Sequence, residues 1–385
     1  MSALEPAGQA EPAGQAEPAG QPEPAGQPGP AGQPGPAGRH RFPRWRLPGK
    51  ARRQETAAAW LMSAPVIALL VVFLVAPILM AAWVSISNWT GIGSPFSANV
   101  HAVGIKNYSA LLSTPGLPQQ QLGESIRNNL YYVILVVPIQ TALALGLAVI
   151  VSRQRLAGRG FFRTAYYFPS ITSSVAVSIL FLFIFGSSGV INAIINGFGA
   201  HGPNWFADPN GVLHMVLSGL GVTTAPSALA GHGFLGVSWW DWLAGPSVAM
   251  VAIMALAIWT TSGTFMLIFL PAIYAIPADL SEAAIVDGAN SWQRFRRVTL
   301  PQLRPTMFLV LTLGLIGTWQ VFDQIYLISQ GNPAGTTLTP AFLSYLTSFG
   351  NQQWGQGAAI AFILFAIIVV LTIVQRLIIS ERRNA

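Results

Sequence analysis

Between Ala58 and Ile379 long apolar runs alternate with short polar or basic connections, and the length of those runs sets the fold class. A bilayer core needs about 20 mostly apolar residues per helix. Six stretches meet that length: Ala58 to Ile86, Asn129 to Val151, Tyr166 to Phe185, Ser247 to Ile273, Met307 to Ile328 and Ala358 to Ile379. They predict an all-α integral membrane protein with six transmembrane helices. Pro65, Pro77 and Pro138 fall inside the runs. Neighbouring helices or water can satisfy the carbonyls that proline frees, so kinks are expected there rather than helix ends.

Ahead of the first run the pattern is lost. Glu5 to Gly38 repeats EPAGQA, drifting to GPAGQP, with almost no bulky apolar side chain. Such a segment buries too little surface to offset the entropy of ordering, and is expected to be a disordered tail. Gly26, Gly29, Gly32, Gly35 and Gly38 keep a three-residue spacing, but a few triplets do not hold a collagen triple helix. The first apolar run begins near Ala57, too late for a secretory signal of roughly 15 to 30 residues. The expected division is therefore a tail with a basic juxtamembrane segment, 1–56, and a transmembrane domain, 57–385.

Charge then orients the spans. Only 9% of residues are charged, against about 25% in soluble domains, and mean hydropathy is +0.52. The net charge of +7 could point to nucleic acid or to a membrane surface; the placement of the basic residues favours the membrane, with no nucleic acid as partner. Arg39, Arg41, Arg44, Arg46, Lys50, Arg52 and Arg53 precede the first run, and Arg153, Arg155, Arg159 and Arg163 follow the second. Arg294, Arg296, Arg297 and Arg304 follow the fourth, and Arg376, Arg382 and Arg383 end the chain. Lys106 and Arg127 alone remain for the other side. Because basic loop residues stay cytoplasmic, both termini are expected inside. The longest outer loop, Gly186 to Pro246, has no Lys or Arg. Its Trp239, Trp240 and Trp242 suit an interfacial aromatic belt, with contact to a docking partner as the alternative. There is no cysteine, which excludes disulfides and thiolate metal sites.

The sharpest local signal runs from Ile276 to Pro301. Asp279 followed by Glu282 predicts a capping-box start to a short helix, with Leu280, Ala283, Ala284 and Asp287 on one face. Gly288 can take the left-handed conformation that ends it. Asn290 or Ser291 then caps a second short helix bearing Trp292 and Phe295, which Pro301 is expected to terminate. The result is a cytoplasmic two-helix elbow between the fourth and fifth spans. On helix logic alone it could be an ordinary interfacial loop.

Here the sequence resembles a known family. Glu282, Ala283, Ala284, Gly288, Val298, Leu300 and Pro301 match the EAA loop of ATP-binding-cassette importer permeases. Asp287, Ala289, Trp292 and Phe295 look most like the carbohydrate-uptake branch, with its maltose-type and glycerol-phosphate-type permeases. Other segments resemble the same branch: Asn128 to Leu130 leading to Pro138 and Gln140, Gly158 to Arg163 with Tyr167 to Pro169, and Trp319 to Tyr326 with Gly331 to Thr337. The resemblance implies that loop 276–301 couples the chain to a cytoplasmic ATPase through Glu282, Ala283, Ala284, Asp287, Gly288, Trp292, Phe295, Leu300 and Pro301. It further implies a second, different permease, two ATPase subunits and an extracytoplasmic solute-binding protein as partners, in a bacterial inner membrane.

No Gly-x-x-x-x-Gly-Lys-Ser/Thr loop is present, so ATP and Mg are expected to be used by the partner ATPase, with no cofactor bound by this chain and no enzyme activity of its own. Carboxylates are scarce in the spans, which weighs against the competing reading, a secondary carrier or channel acting without an ATPase. His201, His214 and His232 are too widely spaced for a compact zinc motif. A sugar path needs groups that re-pair hydroxyls leaving water, and an aromatic face. The fourth span carries Trp259, Thr260, Thr261, Ser262 and Thr264; the fifth carries Trp319, Gln320, Asp323, Gln324 and Tyr326. Trp259, Thr260, Ser262 and the fifth-span group are the candidates, with Trp319, Asp323 and Tyr326 expected on one helical face. The competing explanation is that small polar residues simply pack helices closely.

Overall fold

The computed structural model describes residues 49–153 and 158–381. The expected disordered tail, Arg155, Arg382 and Arg383 lie outside them. The chain divides into two units, Met1–Pro65 and Val66–Ala385, and the elements that build the candidate site lie in the second.

The regular elements of the described chain are helices and one small hairpin. In order come α1 (Gly49–Leu70), a π turn (Val71–Val75), α2 (Ala76–Ser85), α3 (Lys106–Leu112), α4 (Leu117–Ser152), α5 (Arg159–Ile171), α6 (Ser174–Ile184), α7 (Val190–Gly197), α8 (Val212–Gly219) and α9 (Ser227–Ala230). Strands β1 (Gly233–Phe234) and β2 (Val237–Ser238) pair antiparallel, Gly233 opposite Ser238 and Phe234 opposite Val237. Then follow α10 (Trp239–Trp242), α11 (Val248–Tyr274), α12 (Ala278–Val286), α13 (Ser291–Arg294), a π turn (Phe295–Thr299), α14 (Leu300–Gln302), α15 (Arg304–Trp319), α16 (Pro340–Tyr345) and α17 (Trp354–Glu381), with further π turns at Ile325–Ser329 and Leu346–Gly350.

Among the described residues four helical stretches are long and apolar enough to cross a membrane, Glu55–Ser85, Leu117–Ser152, Val248–Tyr274 and Trp354–Ile378, or up to six if each of two bent pairs is one span. The third expected span is such a pair: α5 and α6 meet at 99°. Thr172 and Ser173 adopt extended backbone between them, just after Pro169. The fifth also departs from expectation, because α15 ends at Trp319 rather than running to Ile328. Gln320 leaves helical backbone there, and in the stretch that follows the hydroxyl of Thr339 donates to the carbonyl of Val321 at 3.1 Å. The second begins earlier than expected, at Leu117, where Gly116 and Pro118 start it. Its first turns are polar, with Gln119, Gln120, Glu124 and Arg127, so hydropathy alone misses them.

Proline is handled by widening the helix. Pro77 and Pro301 each follow a π turn, in which the N–H of Ala76 reaches the carbonyl of Val71 and that of Leu300 reaches Phe295. A proline ring collides with the carbonyl four residues back and cannot donate to it; the wider turn moves that carbonyl aside. Pro138 and Pro271 stay inside continuous helices.

The core forms where α4 packs on α11, α15 and the segment after α15. One cluster joins Leu122, Tyr132 and Val136 to Met250, Ile253, Val321, Ile325, Phe342 and Ile360. A second joins Ala144 and Ala148 to Phe265, Phe269, Leu303 and Val310. A Cβ on Gly263 would stand 2.1 Å from the carbonyl oxygen of Tyr166, so α5 crosses α11 at backbone contact. Phe73, Phe183 and Phe365 are exposed on outward faces, as large apolar surface facing lipid would be.

In the long loop, Trp239 is exposed while Trp240 and Trp242 are half-buried. Trp240 stacks on His214 with centroids 4.4 Å apart, and the carbonyl of Trp242 accepts from the hydroxyl of Tyr131. The three tryptophans therefore do not form one exposed belt: two hold the loop to itself and to α4.

Candidate functional site

The elbow follows α11 directly. Its first helix, α12, starts at Ala278 with Pro277 as N-cap, two residues before the expected cap at Asp279, and has no side-chain cap. The expected capping box between Asp279 and Glu282 is thus absent, because Asp279 already lies inside the first turn. There its carboxylate still opposes the positive end of the helix dipole. Glu282, Ala283 and Asp287 are exposed and Ala284 half-buried. Gly288 has φ +77°. The N–H of Gly288 bonds to the carbonyl of Ile285 and that of Ala289 to Ala284, each at 2.9 Å, the paired closure of a glycine-ended helix.

Two residues later Asn290 caps α13. Its Oδ1 accepts from the N–H of Gln293 at 2.9 Å, and Gln293 Oε1 accepts from the N–H of Asn290 at 2.9 Å. The capping box is real but belongs to the second helix. Trp292 stacks on Phe295 with centroids 5.5 Å apart; Trp292 is exposed, whereas Phe295 and Leu300 pack against the second core cluster. Pro301 does not end this helix. The π turn carries the chain past it to Gln302, and a 71° bend to α15 follows at Leu303. Leu280, Ile285 and Val286 are also exposed, Val286 by 88%. The elbow therefore presents apolar side chains beside Asp279, Glu282 and Asp287, and sequence reasoning had named neither Ile285 nor Val286.

A cavity of about 260 Å³ opens between α4, α11, α15 and the segment after α15. Tyr132 and Gln140 reach it from α4, Thr261 and Phe265 from α11, Gly314, Gly317 and Thr318 from α15, and Gln320, Phe322, Asp323 and Gln324 from the segment beyond. Of the expected path residues, Gln320, Asp323 and Gln324 are therefore at the cavity. Trp259, Thr260 and Ser262 are not among its walls. Trp259 is exposed against Phe181, and the hydroxyls of Thr260 and Ser262 bond back to their own helix at 3.0 and 3.1 Å. Thr261, between them, is the one that faces in.

Trp319, Asp323 and Tyr326 do not share a helical face, since the helix stops between the first and the second. Trp319 is 2% exposed and packs with Val133, Val137, Leu364 and Ile368, so it is core. Asp323 and Tyr326 are exposed. Gln140, a cavity-lining polar group, stood outside the candidates. It is 1% exposed, and its Nε2 has no hydrogen-bond partner. A buried donor left unpaired costs about 1 to 3 kcal/mol, which a hydroxyl entering the cavity could recover.

Residues 140–384 match the family described as binding-protein-dependent transport system inner membrane component. The chain belongs to that family. This inner membrane component is a transport subunit rather than an enzyme, and it resides in the inner membrane. It is 29% identical to the lactose transport system permease protein of Rhizobium radiobacter over 86% of this chain and 97% of that one. It is 27% identical to the trehalose/maltose transport system permease protein of Thermococcus litoralis, over 88% and 99%. An osmoprotective compounds uptake permease protein of Synechocystis is 30% identical over 69% and 82%. The fold is shared with a bacterial transporter that imports the acidic polysaccharide alginate, at TM-score 0.61 and 20% identity, covering 86% of this chain and 99% of that chain. The family match begins at Gln140 and so takes in the elbow and nearly all of the cavity wall.

Proposed function

We propose that this inner membrane component conducts a sugar or a related small polar solute, and that its elbow couples conduction to a cytoplasmic ATPase. The observation that carries the reading is a hydroxyl-pairing cavity, with Gln140, Thr261, Thr318, Gln320, Asp323 and Gln324 at its wall, inside otherwise apolar helices. The names of the lactose and trehalose/maltose permeases support the solute class. In this reading Glu282, Ala283, Ala284, Asp287, Gly288, Trp292, Phe295, Leu300 and Pro301 form the coupling surface or hold it in place. The working assembly would pair the chain with a second permease and two ATPase subunits, which would bind the ATP and Mg, and would receive solute from an extracytoplasmic binding protein.

The proposed topology is six spans within a 57–385 domain, both bent pairs crossing and both termini cytoplasmic. A chain with no cysteine of its own makes this directly testable. A single cysteine at Ser291 should react only with reagents that reach the cytoplasm, and one at Phe198 only from outside; reversal of either sinks the topology. The function is tested by uptake of labelled neutral mono- to trisaccharides in cells that carry the complete transporter. ATP-dependent accumulation of at least one is expected, and accumulation of none would overturn the solute class.

A further inference from the structure

Beyond the cavity, six aromatic rings follow one another in a file that the proposed function does not use. Phe322, itself a cavity wall, stacks on Tyr326 at 5.5 Å and 15°. Tyr326 meets Tyr345 at 5.5 Å, Tyr345 stacks on Phe349 at 5.0 Å, Phe349 meets Trp354 at 4.5 Å, and Trp354 meets Trp89 at 5.3 Å. Buried Phe342 lies behind the first three, with centroids 6.1 to 6.4 Å away. Two of the rings are open, Phe349 at 59% and Tyr326 at 39% exposed, and Phe322, Tyr345, Trp354 and Trp89 are half-buried.

A saccharide ring has an apolar face of C–H bonds and a rim of hydroxyls. An aromatic ring can cover that face while the hydroxyls stay in water, so no polar group is desolvated without a partner. Successive rings about 5 Å apart let the face pass from one to the next. At the end of the file the cavity adds the amides of Gln140, Gln320 and Gln324 and the carboxylate of Asp323, which can re-pair the rim. We propose that Trp89, Trp354, Phe349, Tyr345, Tyr326 and Phe322 form a track that guides saccharide rings into the cavity. This rests on the sugar reading above.

The test uses the complete transporter in cells and a labelled neutral saccharide that the wild type accumulates. Phe349 is changed to Ala, to Leu and to Trp, and uptake is compared at equal amounts of co-purifying complex. One lost stacking contact of about 0.5 to 1.5 kcal/mol corresponds to a roughly two- to twelve-fold change. Phe349→Ala and Phe349→Leu should lose that factor in uptake efficiency, mainly through KM, while Phe349→Trp keeps wild-type efficiency. If Leu restores uptake as well as Trp does, the position serves apolar packing against a partner protein and the track is overturned. Equal uptake by all variants overturns it too and leaves the sugar reading standing. A wild type that moves no saccharide removes the sugar reading and the track together.

Discussion

The elbow, residues 278–302, is shaped by hydrogen bonds between neighbours in sequence, whereas the cavity takes its wall from residues as far apart as Tyr132 and Gln324. The elbow is set by a glycine-closed end at Gly288, a capping box at Asn290 and Gln293, and a π turn that admits Pro301. Its side chains stand mostly in the open. At the cavity Gln320 and Asp323 stand exposed, whereas Gln140 is enclosed with its Nε2 left without a partner. The contrast teaches where each kind of substitution should register: a change of an exposed elbow side chain that holds no turn or cap should disturb what docks there and leave the chain's stability alone. A change around the cavity should alter stability or solute handling, according to which way the side chain points.

Trp319→Ala is the strongest test of that division. Removing a fully packed tryptophan costs about 3 to 5 kcal/mol in a soluble core, and the packing part of that loss persists among membrane helices. The melting temperature of the purified chain should fall sharply while any protein that still assembles keeps the wild-type order of preference among sugars. A changed preference with unchanged melting would return Trp319 to the solute path. Glu282→Ala should do the opposite. Its side chain is exposed and closes no cap, so melting should shift by no more than about 0.5 kcal/mol in stability. Truncating one partner of a charge pair buried at an interface costs about 2 to 5 kcal/mol, so ATPase docking should weaken at least ten-fold, as read by co-purification and solute-stimulated hydrolysis. Normal docking would remove Glu282 from the coupling surface.

How much was legible in the sequence follows the same line. The apolar runs, Gly288 and the Asn290 cap could be read because each depends on residues a few positions apart. The capping box was placed on the wrong helix because Asp279 and Glu282 have the right spacing, and only the position of Pro277 decides that the helix has already begun. The break after Trp319 could not be read at all. It lies in a stretch tied to a residue far along the chain, the hydroxyl of Thr339 donating to the carbonyl of Val321 eighteen positions before it. For the same reason helical spacing wrongly joined Trp319 to Tyr326. Gln140 was missed because apolar surroundings in sequence say nothing about which face of α4 meets a cavity, and Thr261 was offered with its polar neighbours but not singled out from them, because a run of adjacent polar residues does not show which one faces in.

Gly288 sharpens the comparison further, because its cost is purely one of backbone. Nothing lies within 4 Å of a Cβ built there, yet φ is +77°. A β-branched residue in that conformation costs about 1 to 2 kcal/mol, and asparagine, which tolerates it, much less. Gly288→Val should therefore tilt α12 against α13 and lower coupled uptake roughly ten-fold, and Gly288→Asn should retain most of it. Equal loss in both would mean that a partner's surface, rather than the turn, excludes a side chain at this position.

The smallest effect, and the one that most directly separates local from tertiary control, belongs to Asn290. Losing an N-cap costs about 1 kcal/mol, here together with the reciprocal bond from Gln293. Arg294 also reaches Ser281 at 3.4 Å, so the start of α13 helps to hold the two short helices at their angle. Phe295 and Leu300, however, anchor the far end of the elbow in the core regardless of the cap. Asn290→Ala should thus loosen only the first turn, with solute-stimulated ATP hydrolysis falling several-fold and ATPase docking nearly unchanged. Asn290→Asp, which can still accept from the N–H of Gln293, should restore it. If Asn290→Ala hydrolyses like the wild type, packing of Phe295 and Leu300 alone fixes the elbow, and its geometry is as tertiary in origin as that of the cavity.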